Sequence, residues 1–196
     1  MKKLMLTLFI LMLAVPSFAL TGISIGIKGG VASYSDDIMT APGYDADGLK
    51  LIGGQVKISS LPVINLLVSG EYMWKSETLG FGTDQLELNQ HDFALSATAL
   101  YPIKFKVISP FAGAGISNHN LGFDYTAPLS LSLEDNGVYV PDSENRLGYH
   151  LIGGFDVNVP AFPVMFSAEY RQNWIDTDNE SVKYYSISLG ANFKLP

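Results

Sequence analysis

Residues 185–193, Tyr-Ser-Ile-Ser-Leu-Gly-Ala-Asn-Phe, alternate apolar with small or polar residues without a break. A period of two puts Tyr185, Ile187, Leu189, Ala191 and Phe193 on one side of an extended chain and Ser186, Ser188, Gly190 and Asn192 on the other. The same rule recurs towards the N-terminus. Val164, Phe166, Ala168 and Tyr170 alternate with Ser167, Glu169 and Arg171, and Leu147, Tyr149, Leu151, Phe155 and Val157 with Gly148, His150, Gly154, Asp156 and Asn158. Leu66, Val68, Tyr72 and Trp74 alternate with Ser69, Glu71 and Lys75, and Ile23, Ile25, Ile27 and Val31 with Ser24, Gly26, Lys28, Gly30 and Ala32. Residues 50–59, 91–101 and 110–121 follow the rule more weakly. Eight strands are therefore predicted, at about 22–34, 48–60, 65–77, 89–101, 109–121, 146–159, 163–175 and 182–195. Each covers the roughly 9–11 residues that a tilted strand needs to cross a bilayer. Pro62, Pro102, Pro110, Pro160 and Pro163 fall at strand margins, where a missing N–H breaks no central ladder.

Composition narrows the setting. The chain has 196 residues, the size of one domain or a signal segment plus one domain. Its 12 basic and 19 acidic residues give a net charge of −7, which argues against a nucleic-acid partner. With no cysteine there is no disulfide framework, thiolate metal site or cysteine nucleophile. Charged residues make up only 16%, below the roughly 25% of soluble domains, so much of the surface is expected to face something other than water. At the N-terminus Lys2 and Lys3 precede an apolar run from Leu4 to Val15, then Ser17-Phe18-Ala19. That is the plan of a cleaved signal peptide over 1–19, leaving residues 20–196 as the domain. A twelve-residue helix spans about 18 Å, short of a hydrocarbon core of about 30 Å.

Alternation alone does not say which face is inside. The polar face is mostly Gly, Ser, Ala and Thr, which suits the side-chain-filled lumen of an eight-stranded barrel better than a soluble exterior. Tyr34, Tyr72, Trp74, Tyr101, Tyr170, Trp174 and Phe193 lie towards strand ends, where interfacial girdles belong. Connections alternate, with 61–64, 102–108 and 160–162 short and 35–47, 78–88, 122–145 and 176–181 generally longer. Most of the acids sit in or beside the longer connections: Asp36, Asp37, Asp45 and Asp47; Glu77, Asp84 and Glu87; Asp124, Glu134, Asp135, Asp142 and Glu144; Asp176, Asp178 and Glu180. Short periplasmic turns and long external loops are the outer-membrane arrangement. The expected fold is all-β: an eight-stranded antiparallel up-and-down transmembrane barrel with apolar side chains turned to lipid. The alternative is a soluble lipocalin-like ligand carrier with the same strands turned inside out.

The stretch Pro110-Phe111-Ala112-Gly113-Ala114-Gly115-Ile116, the run Tyr149–Asn158 continuing into Ser167-Ala168-Glu169-Tyr170-Arg171, and the closing strand through Leu195 resemble the small outer-membrane barrels of the OmpA/OmpX type. The resemblance covers essentially residues 20–196. It implies a location in the bacterial outer membrane, in contact with lipid and lipopolysaccharide. It also implies an assembly signal in the last strand, carried by Ser188, Gly190, Phe193 and Leu195 and read by the barrel assembly machinery. Many members end on an aromatic residue, whereas this chain ends on Pro196. Such barrels share architecture rather than activity.

The candidate functional residues on the polar face are Lys28, Gln55, Lys57, Glu71, Lys75, Asp156, Glu169 and Arg171, expected as a luminal charge network because a charge in a narrow barrel must be paired or wet. Its plain role is to fill and stiffen the lumen; a sharper one is a gate for weak solute conduction. Ser117 and His119 share a strand face and invite the reading of a lipid A-modifying enzyme, but no carboxylate is tied to His119 by spacing, so no catalytic residue is assigned. His91 and His150 read as packing rather than metal ligands, and Asp176-Thr177-Asp178-Asn179-Glu180 as solvated loop acids rather than a calcium site. No metal or cofactor is expected. The predicted function is structural and surface-exposed. The alternative is adhesion, with an extracellular ligand bound by the acidic loops and residues 122–145 foremost.

Overall fold

The computed structural model describes residues 22–35, 45, 47–81, 84–103, 105, 107–128, 137, 138, 140, 142–159, 162–176 and 181–195. The expected signal segment, 1–19, lies outside the described residues. Eight strands follow one another: β1 (Ile23–Tyr34), β2 (Leu49–Ile58), β3 (Asn65–Phe81), β4 (Asp84–Pro102), β5 (Ile108–Thr126), β6 (Glu144–Asn158), β7 (Val164–Asp176) and β8 (Ser181–Lys194). Each pairs antiparallel with its neighbours in sequence, and β1 closes on β8 to complete the barrel. Closure leaves no sheet edge in the wall, which a bilayer requires because nothing there can satisfy a free backbone N–H or C=O.

The register fixes the tilt. Ladder partners followed once round the wall run from Ile23 through Ile58, Leu66, Ala99, Ala114, Leu151, Gln172 and Tyr185 to Ser33, ten residues further along β1. A stagger of this kind makes strands lean roughly 35–45° from the axis and sets a narrow lumen.

Through the middle of the wall the apolar residues face out. Ile27 is 71% exposed, Ile116 68% and Leu189 68%, while Ser24, Lys28, Ser69, Glu71, Ser96 and Ser188 are buried within. At the loop end this polarity inverts. On β4 the outward residues change from Phe93 and Leu95 to Asn89, Glu87 and Gln85, and the inward ones from Ser96 and Asp92 to Leu88 and Leu86. The same reversal brings Leu49 and Leu51 of β2, Leu79 of β3, Leu121 and Phe123 of β5, Ile175 of β7, and Val182 and Tyr184 of β8 into one inward-facing cluster. Tyr34 joins it instead of the interfacial girdle. Here water surrounds the wall, so the hydrophobic effect sends the apolar side chains inward, each fully buried one contributing about 1.5–3 kcal/mol.

That inversion corrects the strand limits read from the sequence. Residues 78–88 were expected as a loop, but β3 runs to Phe81 and β4 starts at Asp84, paired throughout, with Leu79 opposite Leu86. β5 likewise extends to Thr126. Val138 lies in the apolar cluster and Ala127 and Val140 pack on it, so part of the segment 122–145 lids the outer end.

Arginine placed outward on a single strand tests this two-zone wall. Leu95→Arg should cost about 2–4 kcal/mol of unfolding free energy in lipid vesicles, and Asn89→Arg only about 0–1 kcal/mol. Equal costs would mean that β4 has one environment along its length.

Candidate functional site

Half-way along the lumen, four charged side chains from three strands meet. Lys28 of β1 lies 2.7 Å from Glu71 Oε1 of β3 and 3.3 Å from Glu169 Oε2 of β7. Arg171 of β7 donates from Nη1 to the same Glu71 Oε1 at 2.6 Å. Two cations thus face two carboxylates, all almost wholly buried. Ser69 donates to the same Glu71 Oε1 at 2.8 Å and approaches Ser96 at 2.8 Å, so three donors converge on one carboxylate oxygen. Small residues make room for these long side chains. A Cβ on Gly53 would stand 2.7 Å from the Gly70 carbonyl and 3.0 Å from Glu71 Cγ; one on Gly115 would meet His150 Nε2 at 2.6 Å. His150 instead reaches Thr98 at 2.8 Å.

Nearer the short turns, Lys57 pairs with Asp156 and lies over the Phe111 ring, 4.7 Å from its centre. Gln55 donates to Asn192 Oδ1 at 2.8 Å beside them. Seven of the eight polar-face candidates therefore face the lumen in two groups, each with equal numbers of cations and carboxylates. Lys75 stands apart. It sits at the loop end, bonded to the carbonyls of Asp45 and Asp47 and 3.3 Å from Glu77, where it ties down the end of the first loop. A cavity of about 460 Å³ opens at the opposite mouth, lined in part by Ser24, Ser109, Asp156 and Lys194.

A third group completes the Ser117–His119 pair with a carboxylate that spacing did not reveal. His119 Nδ1 lies 2.7 Å from Asp92 Oδ2, and His119 Nε2 lies 2.9 Å from Ser117 Oγ. Tyr34 donates to the same Asp92 oxygen at 3.4 Å, and the Tyr184 ring meets the His119 ring edge-on at 5.7 Å between centres. The carboxylate that spacing along β5 did not supply comes from β4, where Ala94 is the ladder partner of His119 and Asp92 lies one diagonal step away. Its connectivity is that of a serine nucleophile, base and orienting acid. Its setting is not: His119 and Asp92 have no solvent exposure, Ser117 has 4%, and the apolar cluster lies above them.

On the outer surface, Tyr72 stacks on Trp74 and Tyr149 on Trp174, with ring centres 5.6 and 5.2 Å apart. His91 lies 3.9 Å from Asp124 and close to Tyr72, outside the lumen. In the closing strand Ser188 faces inward, Phe193 outward, and Leu195 donates its N–H to the Ile23 carbonyl at 2.9 Å. Of the acidic run 176–180, residues 177–180 lie outside the described residues. Among the described residues no three His, Asp or Glu side chains converge as a metal ion would require.

A closed barrel of eight lipid-clad strands with a paired polar lumen and an aromatic girdle defines an integral outer-membrane β-barrel protein. The family of outer membrane protein beta-barrel domains matches residues 5–194, and the chain belongs to it. Its place is the bacterial outer membrane, among lipid and lipopolysaccharide. No curated protein sequence matches the chain significantly. Among solved structures, Neisserial surface protein A is similar with a TM-score of 0.57 at 17% identity, covering 89% of this chain and 98% of that one. Ail, the attachment invasion locus protein of Yersinia pestis, in complex with the heparin analogue sucrose octasulfate, has a TM-score of 0.56 at 14% identity, covering 88% and 97%. The outer membrane protein OprG of Pseudomonas aeruginosa gives 0.55 at 13%, covering 89% and 97%. At these identities the likeness is one of fold.

Removing Glu71 strands both Lys28 and Arg171 on Glu169 alone. Glu71→Ala should destabilise the barrel by about 3–5 kcal/mol, whereas replacing a buried pair together, as in Lys28→Met with Glu169→Leu, should cost far less. The temperature at which heat-modifiable gel mobility is lost reads both.

Proposed function

We propose that this barrel has a structural, surface-presenting role in the outer membrane, with at most weak conduction of solutes through its lumen. One observation carries the reading: an apolar cluster closes the lumen on the loop side of an ion-paired polar layer. An ion must part Lys28, Arg171, Glu71 and Glu169, cross the level of Asp92, His119, Gln90 and Asn173, and then pass Leu49, Leu86, Leu88 and Leu121, whose side chains offer no polar partner. The charged layer alone is therefore not the gate. Planar-bilayer recordings of the whole chain should show no sustained porin-like steps, and Glu71→Ala and Arg171→Ala should conduct no more than the parent. A large rise in either variant would make the charge network a gate.

We also read the barrel as non-enzymatic. The Ser117–His119–Asp92 group lies inside the wall, the neighbouring backbone N–H groups are committed to the ladder, and none is left to stabilise an oxyanion. Its role is to join the polar lumen to the apolar cap. Ser117 should stay unlabelled by a fluorophosphonate probe in the folded protein; labelling that disappears in Ser117→Ala would reverse this reading.

Partner binding through the loops is the second reading. The described outer end is rich in acids, with Asp45, Asp47, Glu77, Glu87, Asp124 and Asp142 all on it, so a cationic or cation-bridged ligand fits this chain and a polyanion such as the one bound by Ail does not. Deleting 125–143 should abolish surface binding of such a ligand while heat-modifiable mobility survives. The closing-strand residues Ser188, Gly190, Phe193 and Leu195 remain our proposed signal to the barrel assembly machinery.

A further inference from the structure

Basic side chains are almost absent from the outward face. Among the described strand residues only Lys50 of β2 and Lys183 of β8 point out; Lys28, Lys57 and Arg171 face the lumen, Lys194 lines its turn-side mouth, Arg146 has the inward parity of His150 and pairs with Glu144, and Lys75 holds the first loop. Both outward lysines sit at the same kind of place. Lys50 is the ladder partner of Trp74, and Lys183 is the ladder partner of Trp174. Each tryptophan is stacked on a tyrosine, so both couples belong to the aromatic girdle at the loop end of the wall.

The couples flank β1. Lys50 lies opposite Val31, and the Lys183 carbonyl accepts from the Ser35 N–H. Two strand spacings and a four-residue offset put their Cα atoms about 16 Å apart. The lean of the strands offsets most of that displacement in height, so the two lysines leave the wall at nearly the same membrane level. Below them the wall of β8, β1 and β2 is aliphatic, with Ile187, Leu189, Ile27, Val31 and Ile52 all about half or more exposed. The described outward acids of the girdle end, Glu87, Asp124 and Asp176, lie on the loop side of the tryptophans.

A positive pair at headgroup depth, above an aliphatic strip and below an acidic rim, is complementary to a lipid with phosphates on its headgroup and saturated chains beneath. We propose that Lys50 and Lys183 bind two phosphates of one outer-leaflet lipid headgroup, with the β8–β1–β2 strip packing its acyl chains and Trp74 and Trp174 bracketing the headgroup.

The test uses the full chain folded in detergent, with bis-phosphorylated lipid A as the probe and native mass spectrometry as the readout. The parent should retain one lipid A, and Lys50→Gln with Lys183→Gln should weaken retention about tenfold or more. Lys50→Arg with Lys183→Arg should keep it. Heat-modifiable mobility checks that each variant is folded. Retention unchanged in the double glutamine variant overturns the proposal, as does equal retention of lipid A stripped of its phosphates, which would be annular packing only. Full displacement by inorganic phosphate alone would make this a free-anion site and overturn it too.

Discussion

Inside a bilayer a backbone amide has no partner but another backbone amide, and this requirement governs the rest of the molecule. It forces eight strands to close on themselves, and closure with a ten-residue stagger fixes both tilt and bore. Strand parity then divides every segment into a lipid face and a lumen face with no freedom to compromise. The lumen so made is too narrow to solvate isolated charges, so cations and carboxylates enter in matched sets: Lys28 and Arg171 with Glu71 and Glu169, Lys57 with Asp156. The glycines and serines on the same face leave the volume that these long side chains fill.

The solvent changes along the strand while the geometry does not. A strand in lipid turns its apolar side outward; the same strand a few residues later, in water, turns it inward. On β4 the change falls between Phe93 and Asn89, and on β5 near Asn118 and Asn120, whose exposed amides stand where Ile116 stood one step earlier. The apolar cap is thus a small soluble-type core built on a membrane wall. The Asp92–His119–Ser117 group lies at the junction, its buried members hydrogen-bonded to one another.

The same argument explains which features could be read from residues alone. Parity is local, so the faces of Tyr185–Phe193 and the inward set Glu71, Glu169 and Arg171 were legible. Height along the axis is not local. Lys75 has the parity of a luminal residue, but it stands above the charged layer and serves the loop instead. Leu86 and Leu88 are apolar at even positions whereas Phe93 and Leu95 are apolar at odd ones; a search for a single phase reads that switch as the end of a strand. The Asp92–His119 contact depends on the register of β4 against β5, which a connection over 103–107 sets and no spacing along β5 reveals.

Charge is sorted by zone as a consequence. A net −7 does not fit inside a lumen that tolerates only balanced sets, and lipid excludes it from the outward face of the wall. The surplus acids therefore collect at the loop end, where water and counter-ions screen them. A rim of that sign would repel the phosphates of the surrounding leaflet. Cations at the boundary reduce that repulsion, and Lys50 and Lys183 supply two of them from the wall itself, at the level of the tryptophans that mark where the membrane ends.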